Sequence, residues 1–539
     1  MRSFLLTLAG MALLPIAATP AQAAGKTLTI ALSSEPTAAD PHYHDLTPNN
    51  ALGKEIFGTL VMTDENQNVV PALASSWKAA DDHTWIINLR RGVKFSDGKP
   101  FTADDAVFTF CRVVKNTQSI TGAFSPIIAN FAAVETPDDH TLKIVTKAPE
   151  PLMPEKLMQI SIISSATAQH GRITFDLDRN CGVTGPWPTI AQFNSGEAAI
   201  SSGPFKLVKF VKGSVIEMER NPNYWGPKPE WDTVRLVPVP SGGPRLAGLL
   251  AGDYDMIDGV SARDANTLKA NPAFGIKIKA SNRVIFLQLD VARDQSPYVE
   301  APDGKNPLKD VRVRRAISLA INRDVIVKRI MDGAADPASQ FVPEMMFGAM
   351  PKPEPLTYDP QQAKKLLAEA GYPKGFKITL SATNDRYIND SQVAQAIAQY
   401  LNQVGIRTEV DAMTRSIFFS RRSKREFSLS MGGWGSASGG AESFLRQFVA
   451  TTNRESGYGT SNYGGWSDPK FDAVIAKASA TMDETERAAG LREAGRMAMA
   501  SLPDIPIHFE SSIWAFKKGL AYPGRLDQAT LAQFVTSAK

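Results

Sequence analysis

The chain opens on an almost unbroken apolar run, Phe4 to Ala18, behind a single positive charge at Arg2 and ahead of the small-x-small triplet Ala21-Gln22-Ala23. That order of charge, apolar run and small residues predicts a cleaved export signal over residues 1–23, with the mature chain beginning near Ala24. The run is shorter than the roughly 20 apolar residues that a spanning helix needs, and Pro15 interrupts it. No cysteine follows the triplet to carry a lipid. The expectation is a soluble, exported protein without an anchor.

Beyond the signal, stretches of period two and period 3.6 alternate. Thr27 to Ala31 reads as a strand, the Pro- and Asx-rich stretch Glu35 to Asn50 as a loop of the kind that reaches a ligand, and Ala51 to Leu60 as a helix. The alternating stretch after the Asp81-Asp82 turn is a strand. Thr102-Ala103-Asp104-Asp105 starts a helix, with Thr102 as cap and acids in the first turn. Leu142 to Val145 is a short strand, and the irregular stretch Arg172 to Glu197 leads to a domain junction at Gly203-Pro204. Phe205 to Phe210 and Val215 to Glu219 read as a hairpin, Leu246 to Ala251 as a helix, and Asp253 to Ile257 and Val284 to Leu289 as buried strands. Helices over Val311–Ala320, Arg323–Ile330, Asp359–Ala370 and Asp390–Val404 then interleave with strands over Phe376–Leu380 and Arg407–Asp411. That is a βαβ rhythm, and it predicts parallel sheet. Two more amphipathic helices, Pro469–Thr481 and Glu484–Ala500, precede a last strand, Ile505–Phe509.

A length of 539 residues exceeds one ordinary core and predicts about three units. Hydrophobic content of 43% and charged content of 21% are those of a globular protein, so disorder and fibrous architectures are not indicated. The net charge of +4 is too weak on a chain this long to imply binding to nucleic acid or a membrane surface. The two cysteines, Cys111 and Cys181, are expected to pair as a disulfide in an oxidising compartment, with two separately buried thiols as the alternative. Neither has the spacing of a redox or zinc motif.

The ordered series of segments resembles the extracellular solute-binding proteins of family 5, the peptide- and nickel-binding receptors of ABC importers. Its marks are Asp40-Pro41-His42, Trp77, Leu89 through Gly98, Thr102 through Ala106, Gly203-Pro204-Phe205, Asn221 through Trp225, Val313 through Ile317, and Tyr358-Asp359-Pro360. Each mark is weak alone; their order along nearly the whole mature chain is specific. The resemblance implies an α/β, two-lobed periplasmic binding protein (type II, cluster C-like) with an extra subdomain inserted in the first lobe. On that basis lobe I is residues 24–286 plus 505–539, with the inserted subdomain at about 61–200, and lobe II is residues 287–504. A ligand enclosed between the lobes would favour their closure.

In the peptide receptors of the family an Asp shortly after a Gly-Trp pair holds the ligand's ammonium, and a nearby Arg holds its carboxylate. Here the corresponding stretch is Gly433-Trp434-Gly435-Ser436-Ala437-Ser438, and matching Trp434 to the family's Trp puts Ala437 at the Asp position. The ammonium anchor is missing, with Glu35 or Glu442 as possible replacements. Arg386, beside Tyr387 in the loop after the Phe376 strand, is the expected carboxylate ligand, since a guanidinium grips a carboxylate bidentately. The other reading of Arg386 is a surface or capping residue paired with Asp385 or Asp390. Trp434 offers an apolar wall or a cation–π face, or else ends a buried strand as a core residue. Ser33, Glu35, His42, Tyr43 and His44 are candidates to line the cleft from the other lobe, against a purely structural loop. Successive residues of an extended loop point to opposite sides, so His42 and His44 make a poor metal pair, and neither metal nor cofactor is expected.

The basic run Arg421 to Arg425 reads as a solvated helix face. No Gly-x-Ser-x-Gly elbow, Walker loop, His-Glu-x-x-His or dinucleotide fingerprint occurs. The function expected is therefore capture of a short peptide or a peptide-like, carboxylate-bearing solute by a monomeric periplasmic receptor, which delivers it to ABC permease subunits in the inner membrane. The alternatives are a receptor for an opine, sugar conjugate or metal chelate such as a nickel complex and, from another class, a secreted hydrolase or peptide-holding chaperone.

Overall fold

A computed structural model of the protein describes residues 25–116, 118, 124–436, 439–453 and 456–538. The export signal, Ala437 and Ser438 lie outside the described residues. The backbone of the molecule is a mixed sheet of twelve strands that continues through two lobes. Two long antiparallel strands at its centre, Phe274–Leu289 and Asp504–Lys517, carry the chain between the lobes. On one side follow Met256–Ile257, Thr27–Leu32 and Thr233–Pro238, mutually parallel, then the hairpin Val215–Arg220 and Phe205–Val211. On the other side lie Leu429–Gly435 and Lys377–Thr383, with Arg407–Met413 parallel to the latter. A separate antiparallel sheet of four strands is built from Ala74–Asp81, Thr84–Leu89, Thr141–Thr146 and Phe131–Asp138.

Local chemistry accounts for most element ends. Thr102 and Asp105 form a reciprocal capping box at the start of helix Ala103–Lys115, which closes two of the amide groups left open at a helix start. Asp359 caps helix Pro360–Glu369 by accepting from the amides of Gln361 and Gln362. The helix expected over Ala51–Leu60 instead runs Thr47–Ile56: Pro48 suits its first turn, and Gly58, at φ +69°, carries the chain out of it. The Arg323–Ile330 segment is one short α turn followed by a π turn, Ile326–Ile330.

One core runs from Leu28 through Phe57, Phe108 and Ile144 to Trp514 and Val535. A second joins Ile285, Ile317, Ile378, Ile397 and Ile507. A third packs Phe286, Phe341, Phe444 and Phe448 in face and edge contacts 4.4–5.3 Å apart. A disulfide joins Cys111, in the Ala103–Lys115 helix, to Cys181, with their Cα atoms 6.4 Å apart.

Candidate functional site

The two crossing strands pair Phe274–Ala280 with Lys517–Ser511, and Val284–Gln288 with Phe509–Asp504. Between these blocks the register breaks, leaving Ser281, Asn282 and Arg283 as a bulge. A bulge bends its strand and re-aims side chains, and a group of polar and charged side chains gathers around this one. Asn282 Nδ2 donates to Gln67 Oε1 at 2.7 Å and to the Ser436 carbonyl at 2.6 Å, and Gln67 Nε2 donates to the same carbonyl at 3.1 Å. This close approach requires a residue without a Cβ next door: one on Gly435 would stand 2.7 Å from Asn282 Oδ1. Ser436 is accordingly buried, and its hydroxyl is bonded to Gly440 O and Ser443 Oγ.

Arg386 and Tyr387 sit between strand Lys377–Thr383 and helix Asp390–Gln403. Asn389, at φ +53°, turns the chain into the helix. The buried Asp390 carboxylate accepts from Thr383 Oγ1 and from the amides of Arg386, Tyr387 and Ser391 at 2.7–3.2 Å. Asp385 accepts from the Arg415 amide at 2.6 Å. Both nearby acids are therefore spent on other donors, and the Arg386 guanidinium takes part in no ion pair or hydrogen bond among the described residues. It lies 5.1 Å from the centre of the Tyr387 ring. Tyr387 rests against Gly433, donating from its hydroxyl to the Gly433 carbonyl at 3.2 Å.

Two residues that sequence reading missed complete this group. Arg283 Nε donates to Gln528 Oε1 at 2.8 Å and stands 3.5 Å from Glu510 Oε2. Glu510 Oε1 accepts from the Ile388 amide at 3.0 Å, in the same loop as Arg386. Burial raises the Glu510 carboxyl above the usual range against the opposing pull of Arg283, while burial and then the Arg386 charge lower the Arg283 pKa. Each falls one residue outside a strand expected from the sequence, Val284–Leu289 and Ile505–Phe509, so its burial and pairing had no local signal.

The other candidates fall elsewhere. His42 is a correction: it is fully buried in the first lobe rather than facing a cleft. Its Nε2 lies 2.8 Å from Ser161 O and its Nδ1 2.9 Å from Arg112, which also holds Asp40 through two bonds of 2.9 and 2.6 Å. Burial, reinforced by Arg112, pulls the His42 pKa down to about 4. Tyr43 and His44 pack edge to face, 6.1 Å between ring centres. The Ser33 amide donates to Asp258, and Glu35 accepts from the Gly213 amide at 2.5 Å. Glu442 is buried, 3.6 Å from Arg446. No hydrogen bond or ion pair links Glu35 or Glu442 to the Arg386 group among the described residues. Trp434 is half-buried on strand Leu429–Gly435, its ring 5.3 Å from Phe448 and its buried Nε1 without a partner among the described residues. Most of its contact is with the aromatic core. A cavity in the first lobe lined by Lys54, Tyr224, Trp225 and Arg525 holds about 30 Å³, room for water rather than a peptide.

The family model described as bacterial extracellular solute-binding proteins, family 5, middle, matches residues 68–456. The dipeptide-binding protein of Escherichia coli strain K12 is 29% identical over 441 residues, covering 78% of this chain and 77% of its own. The glutathione-binding protein of the same organism is 28% identical over 506 residues, covering 92% and 91%. A periplasmic binding protein of Helicobacter pylori, solved with the peptide STSA, matches at a TM-score of 0.75 and 23% identity, over 96% of this chain and 98% of that one. The fold is thus the two-lobed fold of the periplasmic binding proteins, and with the family model spanning most of its length the chain belongs to the bacterial extracellular solute-binding proteins of family 5.

Proposed function

We propose that this protein is the periplasmic receptor of an ABC importer, and that it captures a short peptide or peptide-like solute through a carboxylate held by Arg386. The observation that carries this reading is the unpaired Arg386 guanidinium, half-buried beside the Tyr387 ring and next to the bulge in the crossing strands. Glu510, whose charge Arg386 also feels, is already held by Arg283 and the Ile388 amide, so a ligand carboxylate supplies the Arg386 guanidinium with a partner of its own through two parallel hydrogen bonds. The names of the dipeptide- and glutathione-binding relatives support the ligand class. Residues 1–23 act as the export signal, the ligand is bound without turnover, and the closed monomer presents it to the permease.

At the amino end, Ala437 stands where the peptide receptors of the family carry an Asp, and among the described residues no carboxylate is bonded to the Arg386 group apart from Glu510, which Arg283 and Ile388 already hold. The ligand is therefore one without a free ammonium at that end. Calorimetric titration with dialanine, N-acetyl-dialanine and N-acetyl-dialanine amide tests both ends. The acetylated acid is expected to bind best, and Arg386→Gln to weaken it by about 2–5 kcal/mol, the range for truncating one partner of a buried charged pair. Equal binding of acid and amide would overturn the carboxylate reading.

A further inference from the structure

Arg283 stands at the bulge where the crossing strands pass from one lobe to the other, and its bonds tie it to the first lobe. Its Nε donates to Gln528, Gln528 Nε2 donates to Ser281 Oγ at 3.2 Å, and Ser281 Oγ donates to the Glu510 carbonyl at 2.8 Å. Gln528 belongs to the C-terminal segment that packs on first-lobe residues: nearby, Arg525 Nη2 donates to the Thr63 hydroxyl, and the Leu526 amide donates to the Glu65 carbonyl. The Arg283 side chain is only 12% exposed, yet neither Nη atom donates a hydrogen bond among the described residues. Arg386 stands in the loop whose Ile388 amide donates to Glu510 at 3.0 Å, its guanidinium without a hydrogen bond among the described residues, and its charge opposes that of Arg283.

Glu510 is the carboxylate interacting with both arginines. Two guanidiniums against one carboxylate leave one positive charge uncompensated, and their repulsion opposes bringing the two arginines together. An acid group reaching both arginines removes that repulsion, and because they belong to different lobes the same contact draws the lobes together.

Resting on the reading of Arg386 as a carboxylate ligand, we infer that Arg283, preset by Gln528 and Glu510, is the second arm of a two-arginine clamp whose bridging by the ligand's carboxylate drives lobe closure. A single carboxylate balances the site, so a monoanionic acid terminus is the group selected, and its amide is rejected. Arg283 thereby sets specificity, and Glu510 and Gln528 are positioning residues.

The test uses a library of N-acetylated dipeptides, each as free acid and as C-terminal amide. It is read by competition in native mass spectrometry and by small-angle scattering, with the wild type, Arg283→Lys, Arg283→Gln and Arg386→Gln. The wild type is expected to prefer acids and to contract when they bind. R283Q is expected to lose about 30-fold or more in acid affinity, to lose its preference for acid over amide, and to stay extended when saturated. R283K is expected to retain part of the preference, because the charge remains while the planar fork is lost. A merely structural role would lower acid and amide binding together. Retention of acid preference and contraction by R283Q, with loss only in R386Q, would overturn the clamp and leave the Arg386 reading standing. No acid preference in the wild type would overturn both.

Discussion

Replacing Gly433 by alanine tests whether the packing under Tyr387 matters to binding. A Cβ at this position would stand 2.6 Å from Tyr387 Cε1 and 2.8 Å from Ile285 Cδ1. Ordinary carbon contacts begin near 3.4 Å, so the ring must move by about 0.8 Å, whereas the Ile285 methyl is a flexible end that yields. That shift stretches the 3.2 Å bond from the Tyr387 hydroxyl to Gly433 O beyond hydrogen-bonding length, a loss of about 0.5–1.5 kcal/mol, and overpacking adds about 1–3 kcal/mol. G433A is thus expected to lose about 2–4 kcal/mol in urea unfolding, with an unchanged slope, and to bind N-acetyl-dialanine more weakly because Arg386 moves with its neighbour. Removing the obstacle should cancel the effect: in a Tyr387→Ala background, G433A should cost less than about 1 kcal/mol, the non-additivity of two residues that touch. Wild-type stability and affinity in G433A, or full additivity in the cycle, would refute the reasoning.

Arg112→Met, which leaves Asp40 buried without its partner, should cost about 3–5 kcal/mol in unfolding free energy while sparing ligand affinity, since the cluster lies in the first-lobe core. The double variant Cys111→Ala/Cys181→Ala should lose about 4 kcal/mol from the loop entropy of a 70-residue separation, checked by unfolding with and without reductant. His508 is fully buried with neither ring nitrogen bonded among the described residues, and burial pulls its pKa down to about 3. A base held below its unfolded value of 6.5 contributes full stability above that pH and loses it as the pH falls toward 3. The stability advantage of His508→Leu over the wild type should therefore grow by about 3 kcal/mol between pH 7 and pH 4, measured by urea unfolding at each pH.

Helices and their caps were legible because their signals are local. Thr102 with Asp105 and Asp359 with Pro360 mark helix starts within four residues, and both helices begin there. The crossing strands were legible only in part. Val284 to Leu289 is buried on both faces and reads as an apolar run, but the preceding Phe274–Ala280 alternates with Lys277 and Lys279, and nothing local says that the two pieces are one strand broken by a bulge. Arg283 and Glu510 were missed for the same reason, since they meet only when distant strands pair. His42 was misplaced because its loop was read without Arg112, a partner on a helix far along the chain that draws Asp40 and His42 into the core. Arg386 was singled out by the resemblance, since it lies in the loop where the peptide receptors of the family carry their carboxylate-binding Arg, and its role as a ligand contact stands as the proposal tested below.

Native mass spectrometry of the protein purified from the periplasm of its own cells tests the central claim most directly. The expected result is a co-purifying peptide or peptide-like acid with a blocked or absent amino terminus, bound to the wild type and lost from Arg386→Gln. A bound solute without a carboxylate, or one retained undiminished by the variant, would contradict it.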